Sequence, residues 1–421
     1  MTAADDAAPV VDIDHNAPEF LEHRFEEYAR LRRECPVAYN TAYGGFWLVT
    51  GYQGVQAVAR DNETFAHRFE PETIDGIDYQ GIVGIPRASA MTKVGIAETD
   101  GPEHRDLRRA LNPAFSPQAV AGMVPLMEAT STWFLDSVIE RGSMDLVLDY
   151  ATPVPAVLTL EMMGLPSRHW EHYAEFFHAT ASHRAGSAEY RAALGRAPEM
   201  IAELLEHAHA RRRSPTDDLT SFLVQLELSG QPLADEEIGN IMFNLVGGGL
   251  DTTTSLTSWG LHHLGTHPEQ RRRLIDDPAL LPSAIEEFLR YFSVNESLTR
   301  TATRDVELCG RHIGRGDRVL ISWVSANHDP ATFASADDIV LDRRDNRHLA
   351  FGLGEHRCIG SHFARTLAQV MVGDVLRRVP DYVVDPERFR PYPANPVMTG
   401  VATMPVTFTP GHRVGPPEPP F

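Results

Sequence analysis

The chemistry available to this chain gathers at one sulfur. Cys358 stands in Phe351-Gly352-Leu353-Gly354-Glu355-His356-Arg357-Cys358-Ile359-Gly360, where three glycines let the backbone fold tightly around a thiol and a helical pattern follows directly. A sulfur at a helix N-terminus gains from the positive end of the dipole and from exposed N–H donors. The spacing therefore suggests a sulfur that stays charged, a soft ligand suited to an iron centre. A buried structural cysteine in a glycine-rich turn is the other reading of the same residues.

A second group lies on a helical pattern that runs from Asp235 to Thr266, about 48 Å if continuous. Between Glu237 and Glu269 its one charged residue is Asp251, so the helix reads as buried along most of its length around a single carboxylate, which needs a reason to be there. Gly247-Gly248-Gly249 precede it, and mid-helix glycine costs about 1 kcal/mol relative to alanine. Small residues let a flat ligand approach the backbone, and the Thr252 hydroxyl can bond a carbonyl one turn back. A helix crossing explains the glycines equally well, but explains the set Gly248-Gly249-Leu250-Asp251-Thr252-Thr253 less well.

Two weaker patterns accompany these. Glu287 and Arg290 are spaced to share a helix face, a spacing that most often marks a solvated surface pair. Asp100-Gly101-Pro102-Glu103 reads as a capping box that opens a helix, and puts His104 and Arg108 on one face as two donors for a carboxylate. Arg105 and Arg109 fall about 100° around that helix and, with Arg357, form a candidate basic patch for an acidic electron donor. His262, His263 and His267 include a pair at metal spacing without the glutamate of a zinc helix, and are discounted. Gly314-Arg315-Gly316 reads as a turn and not as a phosphate loop.

Phe351-x-x-Gly354-x-His356-x-Cys358-x-Gly360 resembles the haem-binding signature of the cytochrome P450 monooxygenases, and three further motifs follow that family in order. The resemblance implies haem b with Cys358 as axial thiolate on the iron. It places Phe351, Gly352, Gly360, Gly248 and Gly249 against the cofactor, and His104, Arg108, Arg300 and His356 on its propionates. Asp251 and Thr252 match the acid–alcohol pair that delivers protons in dioxygen activation. Glu287 and Arg290, completed by Arg343, match a buried structural pair. The resemblance also walls a substrate pocket with Ile82, Val83, Met91, Phe243, Val246, Val294, Leu298, Val397, Met398 and Val401. These are mainly apolar, which suits a terpenoid, steroid or polyketide without choosing among them.

The implied activity is insertion of one oxygen atom from O2 into such a molecule, with electrons from a separate ferredoxin and its NAD(P)H-dependent reductase. A thiolate-haem peroxygenase or isomerase, a haem sensor or electron carrier, and a purely structural role for the motifs are the competing readings.

The elements that must hold these residues are mostly helical. Helical spacing appears over Phe20–Arg33, Pro102–Leu111, Val124–Ile139, His169–His183, Glu189–Arg211, Asp217–Leu228, Asp235–Thr266, Pro268–Ile275, Leu281–Tyr291 and Ile359–Arg378. Val37–Asn40 and Phe46–Val49 read as a hairpin about Gly44-Gly45, and Val306–Cys309 with Arg318–Trp323 as a second β-prone patch. The expectation is one domain over residues 1–421, mainly α with a smaller β-rich region about 36–50 and 306–323. The helical body spans about 100–300 and the cysteine loop 351–360. By resemblance this is a triangular helical prism with a long central helix over the haem.

Composition narrows the classes. The 421 residues carry 38 Lys+Arg against 58 Asp+Glu, a formal charge of −20, which opposes general adhesion to nucleic acid or anionic lipid. Three widely spaced cysteines draw no disulfide framework, as in a reducing cytoplasm. Met1–Asp6 lacks the basic and apolar segments of an export signal, and no stretch reads as a membrane span. A cytoplasmic monomer is expected.

Overall fold

A computed structural model describes residues 9–89, 91, 93–183, 187–393 and 396–421; the N-terminal arm read above, up to residue 8, lies outside them. Eight helices position the site: α1 (Gly101–Leu111), α2 (Pro117–Val138), α3 (Pro153–Met163), α4 (Trp170–Ser182), α5 (Ala197–Arg213), α6 (Asp235–Thr266), α7 (Leu281–Phe292) and α8 (Ser361–Arg378). The main sheet has six strands, β1 (Val10–Val11), β2 (Val37–Asn40), β3 (Phe46–Val49), β4 (Phe65–Ala66), β5 (Ser297–Ala302) and β6 (Arg318–Ser322), in the order β1-β2-β3-β6-β5-β4. The chain is mainly α with a smaller β region, as the sequence suggests.

The hairpin forms where Gly44 and Gly45 take positive φ, which lets β2 return as β3 with Val37 opposite Val49 and Tyr39 opposite Trp47. β6 joins β3 in parallel, Val319 against Trp47, and the Trp47 indole donates to Asp317 at 2.8 Å. Strand β5 was not legible, because its Ser, Thr and Arg residues suppress the apolar alternation. It pairs along the whole of β6, Arg300 opposite Val319. Val306–Leu308 pairs instead with Arg311–Ile313 in a separate two-stranded ribbon, so the second β patch divides between two sheets.

The central helix keeps its expected bounds. Others differ for local reasons. The pattern over Glu189–Arg211 breaks at Arg196, since Pro198 sits in the first turn of α5 and has no N–H to continue an earlier helix. Phe20–Arg33 breaks at His23. The Asp217–Leu228 pattern ends at Gln225 and turns into a short hairpin around Ser229 and Gly230, both at positive φ. Helix α3 carries two prolines in its first turn and apolar residues all round, nearly all buried; with no polar face it shows no 3.6-residue period.

α6 feeds two cores. Ile238, Ile241, Met242, Leu245, Val246 and Leu250 pack with α4 and α5, and Leu256, Leu261 and Leu264 pack with α2, α7 and α8. Each fully buried Leu, Ile or Met contributes about 1.5–3 kcal/mol. Between the two cores lies the segment 247–255, small and polar apart from Leu250. Among the described residues no helix is long and apolar enough to cross a membrane.

Candidate active site

The cysteine loop is closed on itself. Cys358 N–H donates to the Phe351 carbonyl at 2.8 Å, and Gly352 and Gly354 supply left-handed turns. A side chain at Gly354 would stand 2.7 Å from the Ala59 carbonyl, so the loop also lies flush against the helix Tyr52–Arg60. Phe351 lies under the Arg365 guanidinium, 4.5 Å from its ring centre. Cys358 itself is accessible although protein atoms crowd it, the combination a concave wall produces.

One expectation is corrected here. Burial pushes the Cys358 thiol up, and the Gly360 amide with Arg108, Arg357 and Arg365 offsets this only in part. The dipole helps less than the sequence suggests because α8 begins at Ser361, three residues beyond the sulfur. Burial thus opposes the charge that the Gly360 amide and the three arginines favour, and a metal cation bonded to the sulfur would offset that cost.

Beside the loop is a buried cluster rich in bases. His356 stacks between His67 (ring centroids 3.5 Å apart) and His104 (3.9 Å). Burial holds His67 well below the ordinary imidazole value, drops His104 to about 3, and drops the Arg300 guanidinium to about 9. His67 Nε2, His104 Nδ1 and Arg300 Nε are buried without a hydrogen-bond partner among the described residues. One carboxylate, Asp100, faces them, 2.9 Å from His356 Nε2. The lowered imidazoles carry no charge and Arg300 balances Asp100, so what the cluster lacks is hydrogen-bond partners for its buried nitrogens. A flat cofactor carrying carboxylates fits that deficit, and a soft metal at its centre fits the sulfur.

Two details of α1 differ from the sequence reading. The capping box does not form: Asp100 accepts from the His67 and Arg68 amides at 2.8 and 2.9 Å and makes no side-chain cap to its own helix. Burial lifts the Asp100 carboxyl, but His356 and these two amides outweigh it and hold it below the ordinary value. Arg108 donates to the Arg357 carbonyl at 2.6 Å and to Asn112 Oδ1 at 2.9 Å. Arg105 and Arg109 are exposed and pair with Glu355 and Asp106, which dilutes the basic patch.

On α6 the three glycines have different neighbours. A Cβ at Gly247 would meet the Phe177 ring at 2.6 Å, and one at Gly249 would meet Thr159 Oγ1 at 2.5 Å. At Gly248, apart from its chain neighbours and the helix's own backbone, no atom of the described residues lies within 4 Å of that position. Gly249 is thus a close-packing residue against α3, in place of the cofactor contact expected of it; Gly248 keeps the open face. Thr252 Oγ1 donates to Gly248 O at 2.8 Å. Asp251 is buried, with Oδ1 3.6 Å from His178 Nδ1, and that same nitrogen is 2.9 Å from the Tyr392 hydroxyl. Burial and the nearby Asp251 carboxylate push the Tyr392 phenol far up.

Glu287 and Arg290 are both fully buried. Arg290 Nε and Nη2 donate to the two Glu287 oxygens at 2.9 and 2.8 Å, and Arg343 Nε adds a third bond at 2.9 Å. Arg290 Nη1 goes on to the Asn327 and Ala336 carbonyls. The helix spacing alone favoured a surface pair; the structure has an interior hub that ties α7 to the segment ahead of the cysteine loop.

Of the apolar residues assigned to a pocket, Ile82, Val83, Met91, Phe243, Val294, Leu298, Val397 and Met398 retain accessible surface. Val246 and Val401 retain none. A wall of a cavity that admits a ligand also admits water, so these two belong to the packed cores on either side and not to the lining.

Known proteins share this arrangement. A sequence profile described as Cytochrome P450 matches residues 187–388. The steroid C26-monooxygenase of Mycolicibacterium smegmatis is 33% identical over 92% of this chain and 94% of its own. The chain belongs to the cytochrome P450 family. The mycinamicin IV hydroxylase/epoxidase of Micromonospora griseorubida is 33% identical over 84% of this P450 and 87% of its own length. The solved structure of Mycobacterium marinum cytochrome P450 CYP268A2 in complex with pseudoionone superposes with a TM-score of 0.85, at 28% identity, over 96% of this chain and 100% of the other. The P450 is thus a haem b monooxygenase by family.

Sequence reasoning missed three residues of this P450 site. His67 follows a two-residue strand and gives no periodic signal. His178 and Tyr392 come from α4 and from the Pro-rich C-terminal region, and only the tertiary fold brings them to Asp251.

Proposed function

We propose that this P450 inserts one atom of O2 into a medium-sized apolar molecule of terpenoid, steroid or polyketide type, with electrons from a separate ferredoxin and its reductase in the cytoplasm. The observation that carries the reading is the Thr252–Gly248 hydrogen bond on the open face of a buried helix beside a buried acid. Haem held by Cys358, Gly248, His104, Arg300 and His356 would supply one-electron and dioxygen chemistry.

The remaining roles belong to side chains. Because Thr252 donates its proton to Gly248 O, its oxygen lone pairs face outward to accept a hydrogen bond and fix the geometry of proton transfer. Adjacent helical residues point about 100° apart. Asp251 therefore takes protons on the His178 side and serves Thr252 only by turning about its own side-chain bonds. His178, 23% exposed, is the link to solvent. Apolar walls offer water no hydrogen bonds, and Glu287, Arg290 and Arg343 hold the cysteine loop in register.

The substrate class is supported by the apolar lining and by relatives named steroid C26-monooxygenase and mycinamicin IV hydroxylase/epoxidase. The deciding experiment is NADH turnover with a surrogate ferredoxin and reductase under 18O2, using testosterone and pseudoionone as probes. One labelled oxygen in the product supports the reading. NADH oxidation without labelled product from any apolar probe, or product formation that needs only peroxide, overturns it.

A further inference from the structure

Glu98 is a fully buried carboxylate outside the machinery described so far. Its Oε1 accepts from the Ile82 amide at 2.8 Å and from Arg87 Nη1 at 2.6 Å; its Oε2 accepts from the Val94 amide at 2.8 Å and from Arg87 Nη2 at 2.9 Å. These four bonds use the full acceptor capacity of a carboxylate, and they come from three separate points of the chain ahead of it. The pairing with Arg87 is bidentate and nearly dry, with 7% of the Arg87 side chain exposed, the geometry in which such a pair is strongest.

The two ends of this arrangement are fixed to the rest of the fold. Thr299 of β5 donates from its hydroxyl to Gly81 O at 2.9 Å and from its amide to Ile82 O at 2.8 Å. At the other end Gly95 touches α6 so closely that a Cβ there would stand 2.6 Å from Asn240 O. Glu98 spans the interval between sheet and central helix, and the apolar residues Ile82, Val83 and Val94 are placed by what it holds.

Two residues later Asp100 does the same for the other side of the site, binding the His67 and Arg68 amides and His356. The cofactor cluster and the apolar wall therefore hang on separate carboxylates, and can be perturbed separately.

We propose that Glu98 is the positioning residue that sets the apolar wall at Ile82 and Val83, and through it decides which bulky ligands the pocket admits. This rests on the reading of that wall as part of a haem-thiolate pocket. Glutamine at position 98 keeps the shape but has one carbonyl oxygen, so it turns an NH2 group toward donors that need an acceptor, and it cannot pair with both nitrogens of Arg87.

The test compares the haem-loaded wild type with E98Q and R87M, using two azoles that bind through nitrogen: imidazole, which needs little room, and 4-phenylimidazole, which must fit the wall. In E98Q the carbon monoxide difference spectrum stays as in wild type and the dissociation constant for 4-phenylimidazole rises at least tenfold, with that for imidazole moving less than twofold. Hydrogen exchange at the Ile82 and Val94 amides quickens at least tenfold while α6 and α8 keep their protection. R87M shows the same pattern at least threefold, and carries the test if E98Q does not fold. Equal shifts for both azoles, no shift, or faster exchange throughout the chain overturn the proposal. Lack of a carbon monoxide band in the wild type overturns the cofactor reading and this proposal together.

Discussion

Asp251 leans toward His178, with 3.6 Å between Oδ1 and Nδ1, while its Oδ2 is buried near the Tyr392 phenol and makes no hydrogen bond among the described residues that meets ordinary geometry. A buried carboxylate with one oxygen engaged and one without a hydrogen bond is poised to turn. If His178 acts through Asp251, the two substitutions share one effect. D251N is expected to slow product formation about a hundredfold, in the range for loss of a positioned acid, with the carbon monoxide spectrum unchanged. H178L should slow it less, and should cost nothing further in the D251N background. Additive losses in the double variant would show that His178 acts by another route.

T252A removes the hydroxyl and frees the Gly248 carbonyl while leaving helix and pocket in place. The expectation is continued NADH consumption with about tenfold less product per electron and a matching rise in hydrogen peroxide, because the lost group places protons and does not bind substrate. The check is peroxide and product titrated in the same reaction.

The base cluster predicts cofactor retention. Each bond from a buried donor to a charged carboxylate is worth about 1.5–3 kcal/mol, roughly ten- to hundredfold in an equilibrium constant. R300M and H67L are each expected to speed haem transfer to apomyoglobin by that order. The unloaded protein should lose only the His67–His356 stack or the Arg300 Nη1 bond to Thr299 O, since Arg300 Nε and His67 Nε2 have no partner among the described residues. Unaltered transfer in H67L would return His67 to a packing role.

How much of this was readable follows from where each signal resides. The cysteine loop and the Gly248–Thr252 segment are continuous in sequence and chemically odd in place, so they stood out. The bounds of α6 were legible because a long weakly charged stretch ends at Thr266 before Pro268. Glu287 and Arg290 gave only a spacing shared by countless surface pairs; their burial depends on Arg343 and Asn346, more than fifty residues away. The wrong capping box has the same origin: Asp100 has the residue type and position of a cap, but better donors arrive from His67, Arg68 and His356. Val246 and Val401 show the limit of apolarity, which marks an interior position without saying whether its neighbour is protein or ligand.

Two adjacent carboxylates make the fold sensitive to acid. Burial raises the Glu286 carboxyl, but His348 and Arg365 outweigh it and bring it to about 2; burial likewise raises Glu287, and Arg290 with Arg343 holds it below its ordinary 4.5. The unfolded chain takes up these protons first. Their stabilisation is therefore complete well above pH 4.5 and drains away below it, for Glu286 as the pH falls toward 2. E287Q leaves Arg290 buried without its charge partner and is expected to cost about 3–5 kcal/mol at pH 7. The gap to wild type should narrow as the pH drops through that window, read by urea unfolding in far-UV circular dichroism. A gap constant with pH would mean that Glu287 contributes shape and not charge.

The glycines of α6 separate packing from binding most directly. Alanine at either position gains about 1 kcal/mol of helix propensity. At Gly249 that gain meets a Thr159 side chain 2.5 Å away, and overpacking of this kind costs about 1–3 kcal/mol. G249A should leave the unloaded protein unchanged or less stable by up to about 2 kcal/mol. At Gly248, chain neighbours and helix backbone apart, no atom of the described residues stands in the way, so G248A should stabilise the unloaded protein slightly and yet weaken its uptake of haem, because the added methyl occupies the face on which the flat ring would lie. Opposite signs for stability and haem affinity in one variant cannot come from a general packing defect. Thermal melts of the unloaded forms, set beside haem titrations, decide it; G248A that binds haem as wild type does would move the cofactor off this face of the helix.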